Sequence, residues 1–305
     1  MWRGNLPGAM WSSRQRLGTV LCLGSAAGFG AMAIFGKLAY DAGVGVVTLL
    51  FARFAFAAVA LWLALAVKGG LPRRRRRPVL AALALGAVGY ATQAGLFFAA
   101  LARMDASLLA LLLYTYPVMV AAAAVGLGRE TASRRRAGAL LVSSSGLVLV
   151  LAGSAGGGLD PIGVAMGIAA AMTYTAYILV SDAVTADLPP LALSALVTAG
   201  AAVTFGVVGA ASGSLDVGFE PAGWLWLALI ALVSTVSAIV LFFAGMKRVG
   251  PSTAAILSTF EPVVTVVLAF LAFGEALSPM QMGGAALVIG AVIALNLQPP
   301  EARTA

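Results

Sequence analysis

The sequence predicts an all-α membrane protein of ten transmembrane helices, arranged as two inverted five-helix repeats. Composition, segmentation and an internal duplication carry that expectation. The 305 residues are 61% hydrophobic and 10% charged, with a mean hydropathy of +1.02. A soluble domain carries about 25% charged residues, so this chain has polar surface enough for loops but not for a water-facing globule. The apolar residues fall into runs of spanning length. Residues Phe97–Gly138 also align without a gap on Phe242–Gly283. The shift of 145 positions brings together Phe97 and Phe242, Arg103 and Arg248, Ser107 and Ser252, Pro117 and Pro262, Glu130 and Glu275, and Ser133 and Ser278. Shared apolar composition does not align arginine, proline, glutamate and serine in one register, so the match reads as a repeat.

In chain order the expected spans are Leu17–Leu38, Val46–Val67, Val79–Leu101, Ala106–Leu127 and Ala137–Ala152, then Ile162–Val184, Leu191–Ala211, Trp224–Met246, Thr253–Phe273 and Met280–Leu297. The first repeat is placed at 17–152 and the second at 162–297, with the glycine-rich Gly153–Pro161 as linker. The arginines ahead of span one resemble a signal peptide, but the run is too long for a typical h-region, so an uncleaved first span is expected. Basic residues set the orientation. With the N-terminus inside, the inner face receives Arg3, Arg14, Arg16, Lys68, Arg73 to Arg77, Arg129, Arg134 to Arg136, Lys247, Arg248 and Arg303, and the outer face only Arg103. Both termini are then cytoplasmic, in a multi-pass protein of the plasma membrane. The net charge of +8 is a topology signal at anionic headgroups rather than a nucleic-acid patch, because the arginine run lacks interleaved aromatics. Five spans per repeat is odd, so the second repeat enters the membrane from the opposite side. Inverted repeats are a recurring plan of secondary transporters.

Ionisable groups inside the bilayer mark pathways. Glu261 lies about nine residues into its span, roughly 13 Å deep at 1.5 Å per residue, near the middle of a ~30 Å core. Arg53 lies roughly 10 Å deep in span two by the same rise. They read either as a proton- or substrate-binding carboxylate facing an anion-binding guanidinium, or as an ion pair joining two helices. Lys37, at the outer end of span one, is expected to snorkel to the interface. Pro117 and Pro262 each remove a backbone hydrogen bond at matching depth and are hinge candidates. Tyr114, Tyr116 and Ser258 lie near them. With Tyr90 and Gln93 on span three, Ser237 on span eight, and Tyr174 and Tyr177 on span six, they complete the candidate substrate-binding or coupling set. Thr92, Thr115, Thr235 and Thr259 are further polar neighbours. Glu130 and Glu275 look like a catalytic pair, yet the topology puts them on opposite faces, so capping is the better reading, with Ser133 and Ser278 as N-caps. Gly138 and Ser145, matched by Gly283 and Gly290, form a small-residue stripe suited to close helix packing, internal or between protomers.

No catalytic residues, metal site or cofactor are expected. The chain has no histidine and one cysteine, Cys22, which excludes an intrachain disulfide and removes the commonest metal ligand. Residues Gly30–Leu38, GAMAIFGKL, miss the phosphate-loop pattern and sit inside a span.

The combination of Pro117, Gly128, Glu130 and Ser133 with Glu261, Pro262, Gly274, Glu275 and Ser278, and Ala52-Arg53-Phe54 in span two, resembles the EamA-like proteins of the drug/metabolite transporter superfamily. The resemblance covers about residues 17–297. In the first half Arg129 separates Gly128 from Glu130, whereas Gly274 and Glu275 are adjacent. The resemblance implies export or exchange of small metabolites, amino acids or drugs across a plasma membrane, with protons or a counter-substrate as the coupling partner. The expected partners are a small-molecule substrate and membrane lipids, without nucleic acid; a homodimer is left open. A membrane interaction or sensor protein that keeps the transporter fold is the alternative reading.

Overall fold

The structure is a computed structural model. It describes residues 13–70, 76–128, 134–153, 160–185, 188–249, 254 and 257–296. Among the described residues every regular element is helical. The first half contains α1 (Ser13–Gly30), α2 (Met32–Asp41), α3 (Val46–Val67), α4 (Arg76–Ala84), α5 (Ala91–Leu101), α6 (Ala106–Leu113), α7 (Tyr116–Gly126) and α8 (Arg134–Gly153). The second half contains α9 (Pro161–Thr185), α10 (Pro190–Ser212), α11 (Ala222–Ala231), α12 (Ala238–Val249), α13 (Phe260–Phe273) and α14 (Pro279–Asn296). Among the described residues seven continuous or kinked helices are long and apolar enough to cross a membrane, and three shorter apolar helices lie at 137–153, 260–273 and 279–294.

The helices begin and end for local reasons. α10 starts on Pro190, which lacks the N–H that the first turn leaves unpaired anyway. It stops at Gly213, and α13 stops at Gly274, at φ of +67° and +70°. Glycine alone takes that left-handed turn without a Cβ penalty. α9 is capped by Asp160, whose Oδ1 accepts from the amides of Ile162 and Gly163 at 2.8 and 3.3 Å. α14 carries a capping box: Gln281 N–H donates to Ser278 Oγ at 3.3 Å, while Ser278 N–H donates to Gln281 Oε1 at 2.7 Å. Ser278 is thus the N-cap that the sequence suggests. Ser133, its first-half counterpart, and Glu130, the counterpart of Glu275, lie outside the described residues.

Several spans are interrupted. α4 and α5 are joined by a π-helical stretch, Leu85–Tyr90, and α11 and α12 by another, Leu232–Ser237. These fall in spans three and eight, which the duplication pairs with each other. The break between α6 and α7 falls at Tyr114 and Thr115, and the break before α13 at Thr259. Tyr114 plus 145 is Thr259, so both breaks lie three residues ahead of the matched prolines, where a proline ring crowds the preceding turn.

The tightest helix pairs join one half to the other: α1 with α12, α3 with α10, α5 with α9 and α8 with α14, while α6 and α13 meet in a looser contact. Close approach needs missing side chains. A Cβ on Gly86 would stand 2.1 Å from the Val197 carbonyl oxygen, and one on Gly200 2.3 Å from that of Leu83. The main apolar core, with Phe54, Phe98, Leu49, Leu50 and Leu101, fills part of this interface. Val59, Leu63, Val203, Val207 and Leu271 remain exposed, as lipid-facing residues are.

The small-residue stripe is one residue out of register with its expected position. Gly138, Gly283 and Gly290 meet nothing within 4 Å, and Ser145 is exposed. α8 and α14 instead pack through Gly146 and Gly284, where a Cβ on either would lie 2.7 or 2.5 Å from the other's carbonyl oxygen. Ala139 and Ala291, their repeat partners, are buried beside them. One residue is about 100° of helix rotation, enough to turn the predicted stripe outward.

Candidate functional site

A cavity of about 110 Å³ lies between the halves. Arg53, Tyr90, Gln93, Tyr114, Tyr116, Tyr174, Glu261 and Pro262 all line it. The duplicated elements explain how residues so far apart converge. Each half supplies one broken span, whose turn brings Tyr114 and Tyr116, or Glu261 and Pro262, to the same depth.

Arg53 is 2% exposed. Its Nε donates to Thr235 Oγ1 at 3.1 Å and its Nη2 donates to Tyr90 Oη at 3.3 Å. Tyr90 plus 145 is Thr235, so the two partners are repeat equivalents, one from each π-helical stretch. The guanidinium is also 4.8 Å from the Phe54 ring centroid and 5.4 Å from that of Phe98. A buried charge without a carboxylate partner is expensive, and such a ring-and-hydroxyl setting offsets part of that cost. Glu261 does not supply the missing charge. Among the described residues the ion pairs are Lys37 with Glu275, Lys37 with Asp105 and Arg103 with Asp160. The helix-joining Arg53–Glu261 pair that the sequence allowed is therefore not formed. Both groups border the same cavity as separate charges.

Pro262 has a traceable consequence. Its ring excludes the Ser258 carbonyl from normal helical pairing, and the hydroxyl of Tyr114, from the other half, donates to that carbonyl. Ser258 acts here through its backbone, and its own hydroxyl donates to the Ala254 carbonyl at 3.0 Å. One turn further along α13 Thr265 Oγ1 donates to Gly30 O at 2.9 Å, where span one kinks at Ala31. Tyr116, Tyr174, Tyr177 and Tyr90 form a chain of rings with centroids 4.6, 6.0 and 5.5 Å apart. Tyr177 does not line the cavity but backs the rings that do.

Two other candidates stand apart. Ser237 is exposed, because it lies two residues, roughly half a helical turn, beyond the buried Thr235. Pro117 begins α7 behind Tyr116 rather than in the lining. Thr92 is also exposed, and Thr115 donates to the Leu112 carbonyl at 2.7 Å. The sequence reading missed the apolar lining: Phe29, Met32 and Phe97 carry no polar signal that would single them out.

A second polar constellation sits at the end of the bundle that the charge distribution predicts to be outer. Glu275 does not serve the helix that follows it. Its Oε2 accepts from Ser107 N–H at 3.0 Å and Ser107 Oγ at 2.9 Å; its Oε1 accepts from Ala106 N–H at 3.1 Å and Lys37 Nζ at 2.8 Å. It caps α6, in the other half. Burial pushes this carboxyl up, but Lys37 and the two amides more than offset that, and the net shift is below the ordinary glutamate value. Lys37 thus ends in an ion pair instead of snorkelling free.

The chain belongs to the EamA-like transporter family. The family model matches residues 16–152 and again 161–297. Those two matches coincide with the two halves that share the cavity. The chain is 30% identical over 169 residues to the uncharacterized transporter YwfM of Bacillus subtilis, a match covering 55% of this chain and 56% of that protein. It thus spans little more than half the length of that relative. It is 28% identical over 276 residues to the uncharacterized transporter YcbK of the same organism, covering 88% of each. An uncharacterized transporter of Archaeoglobus fulgidus is 29% identical over 221 residues, covering 71% of this chain and 76% of that one. A solved crystal structure superposes with a TM-score of 0.63 at 20% identity, covering 91% of this chain and 96% of the other, which supports the fold.

Proposed function

We propose that this EamA-like protein is a secondary transporter that exports or exchanges a small metabolite across the plasma membrane by alternating access, with both termini cytoplasmic. In this reading ten helices cross the bilayer, the three shorter ones included, and the second repeat is inverted relative to the first. The observation that carries it is the central cavity. It is built by both halves at their matched helix breaks, and it holds a carboxylate and a guanidinium that do not neutralise each other. An unpaired acid in an apolar bundle is available to a proton or to a cationic group of the substrate. An arginine already oriented by Tyr90 and Thr235 is available to an anionic group. The tyrosine rings offer an aromatic wall between them.

The cavity volume adds a constraint. About 110 Å³ is well below the roughly 300–1,000 Å³ of a site for a drug-sized ligand. This conformation is therefore too closed for such a substrate, and loading requires the broken spans to move apart.

The test is Glu261→Gln, which keeps shape and removes the charge. Purified protein in sealed vesicles is driven by a pH gradient, and uptake of a metabolite mixture is read by mass spectrometry. The variant is expected to reconstitute normally and lose gradient-driven flux at least tenfold while retaining substrate exchange. Unchanged flux in a normally folded variant would remove Glu261 from coupling and from binding.

A further inference from the structure

A second, larger cavity of about 520 Å³ opens at the opposite end of the bundle from Glu275. It lies between the C-terminal end of α3, the start of α10 and one face of α12. Lys68, Lys247 and Arg248 line it, together with Leu65, Val240 and Phe243, and among the described residues no acid does. We propose that this groove is a binding site for one anionic phospholipid of the inner leaflet, with the phosphate held by the three cations and the upper acyl chain along the apolar wall.

The bland alternative is that these cations only anchor topology and complement helix C-termini. That accounts for their charge but not for their convergence. Lys68 comes from the end of α3 and Lys247 from the last turn of α12, two helices whose ends meet around one groove. Arg248 is held against the wall by its Nη1 donating to the Ala244 carbonyl at 2.6 Å. Val240, Phe243 and Lys247 stand at i, i+3 and i+7 on one face of α12, so the apolar wall runs down from the ammonium for roughly 10 Å. Leu61, Leu65, Ala192 and Ala195 pack together below as a buried floor. A soluble anion would use the charged rim and leave this apolar depth empty. A zwitterionic lipid would bring its own cation into a site that offers no acid. Charge and shape together fit an anionic headgroup on an acyl chain. The assignment to the inner leaflet rests on the orientation proposed above.

The experiment is native mass spectrometry of the full-length protein, delipidated in detergent and titrated with phosphatidylglycerol or phosphatidylcholine. One phosphatidylglycerol per chain is expected to be retained in about hundredfold preference, a size set by three cations at roughly 1 kcal/mol each near an anionic headgroup. Lys68→Gln with Lys247→Gln is expected to abolish the preference, and Lys68→Arg with Lys247→Arg to keep it, which separates lost charge from lost fold. Val240→Trp is expected to lower retention with every cation in place. Equal retention of the two lipids overturns the proposal. So does an unchanged preference in the glutamine variant, or displacement of the lipid by an equal concentration of glycerol phosphate. The readout is binding, so it stands or falls independently of transport.

Discussion

At the residue scale the site rests on how single side chains use what the backbone leaves open. Arg53 keeps its charge in the interior by resting on Phe54 and Phe98 and by donating to Tyr90 and Thr235. A lysine at this position has neither the planar fork nor the reach to hold both partners. Arg53→Lys is therefore expected to raise the KM for the transported substrate about tenfold, with expression within about twofold of the parent; an unchanged KM would mean the guanidinium serves folding alone. Tyr114 is the other decisive side chain, because it satisfies the carbonyl that Pro262 displaces. Tyr114→Phe leaves that carbonyl unpaired and is expected to destabilise the protein by about 1–2 kcal/mol, read as a lower thermal midpoint in detergent. A midpoint equal to the parent's would show that the carbonyl has another partner.

At the element scale Glu275 ties the loop after α13 to the N-terminus of α6, across the boundary between repeats. Two amides, a hydroxyl and an ammonium converge on one carboxylate, the arrangement a helix N-terminus favours. Removing it with Glu275→Ala is expected to cost about 1–2 kcal/mol. The pH dependence follows from the lowered folded-state pKa. A depressed carboxyl stabilises the fold above its unfolded pKa, and the contribution disappears as pH falls through the folded one. The stability gap between the parent and Glu275→Gln should thus be full at neutral pH, begin to shrink near the ordinary glutamate value of about 4.3, and vanish only once pH has fallen below the lowered folded-state pKa. A gap that persists in acid would show that shape, rather than charge, holds this contact. The surface pair of Arg103 with Asp160 is exposed and adds little.

At the scale of the whole molecule the helix pairs carry a symmetry. If spans one to five correspond to six to ten, the pairs of spans two with seven, four with nine and five with ten map onto themselves. The pair of one with eight maps onto three with six. All of these except four with nine are among the tightest pairs observed, which supports a pseudo-two-fold relation between the repeats. The packing at Gly146 and Gly284 gives a contrast. Gly146→Leu forces a side chain into backbone and is expected to destabilise by about 1–3 kcal/mol or more, whereas Gly138→Leu, which points into open space, is expected to be nearly neutral. Equal effects would argue against this face of α8. A reporter active only outside the cytoplasm, fused after Ala305, is expected to stay silent; a signal would overturn the proposed orientation.

The sequence by itself determined the helical membrane class, the approximate edges of the apolar segments, and the repeat. Each depends on run length, charge placement and register, which are properties of the chain rather than of its packing. It also pointed to most of the cavity, because a tyrosine, glutamate or arginine stands out against an apolar background. The tertiary structure decided the partners. It separated Arg53 from Glu261 and gave the arginine to Tyr90 and Thr235. It sent Glu275 to α6 instead of the adjacent helix, moved the packing stripe by one residue to Gly146 and Gly284, and turned Ser237 outward. The partner of Glu275 depends on where the loop after α13 lies, and the others depend on a helix's rotation about its axis. A one-residue change turns a side chain by about 100°, and in a chain apolar on nearly every face the hydrophobic pattern does not fix that angle. Only the contact of one helix with another does.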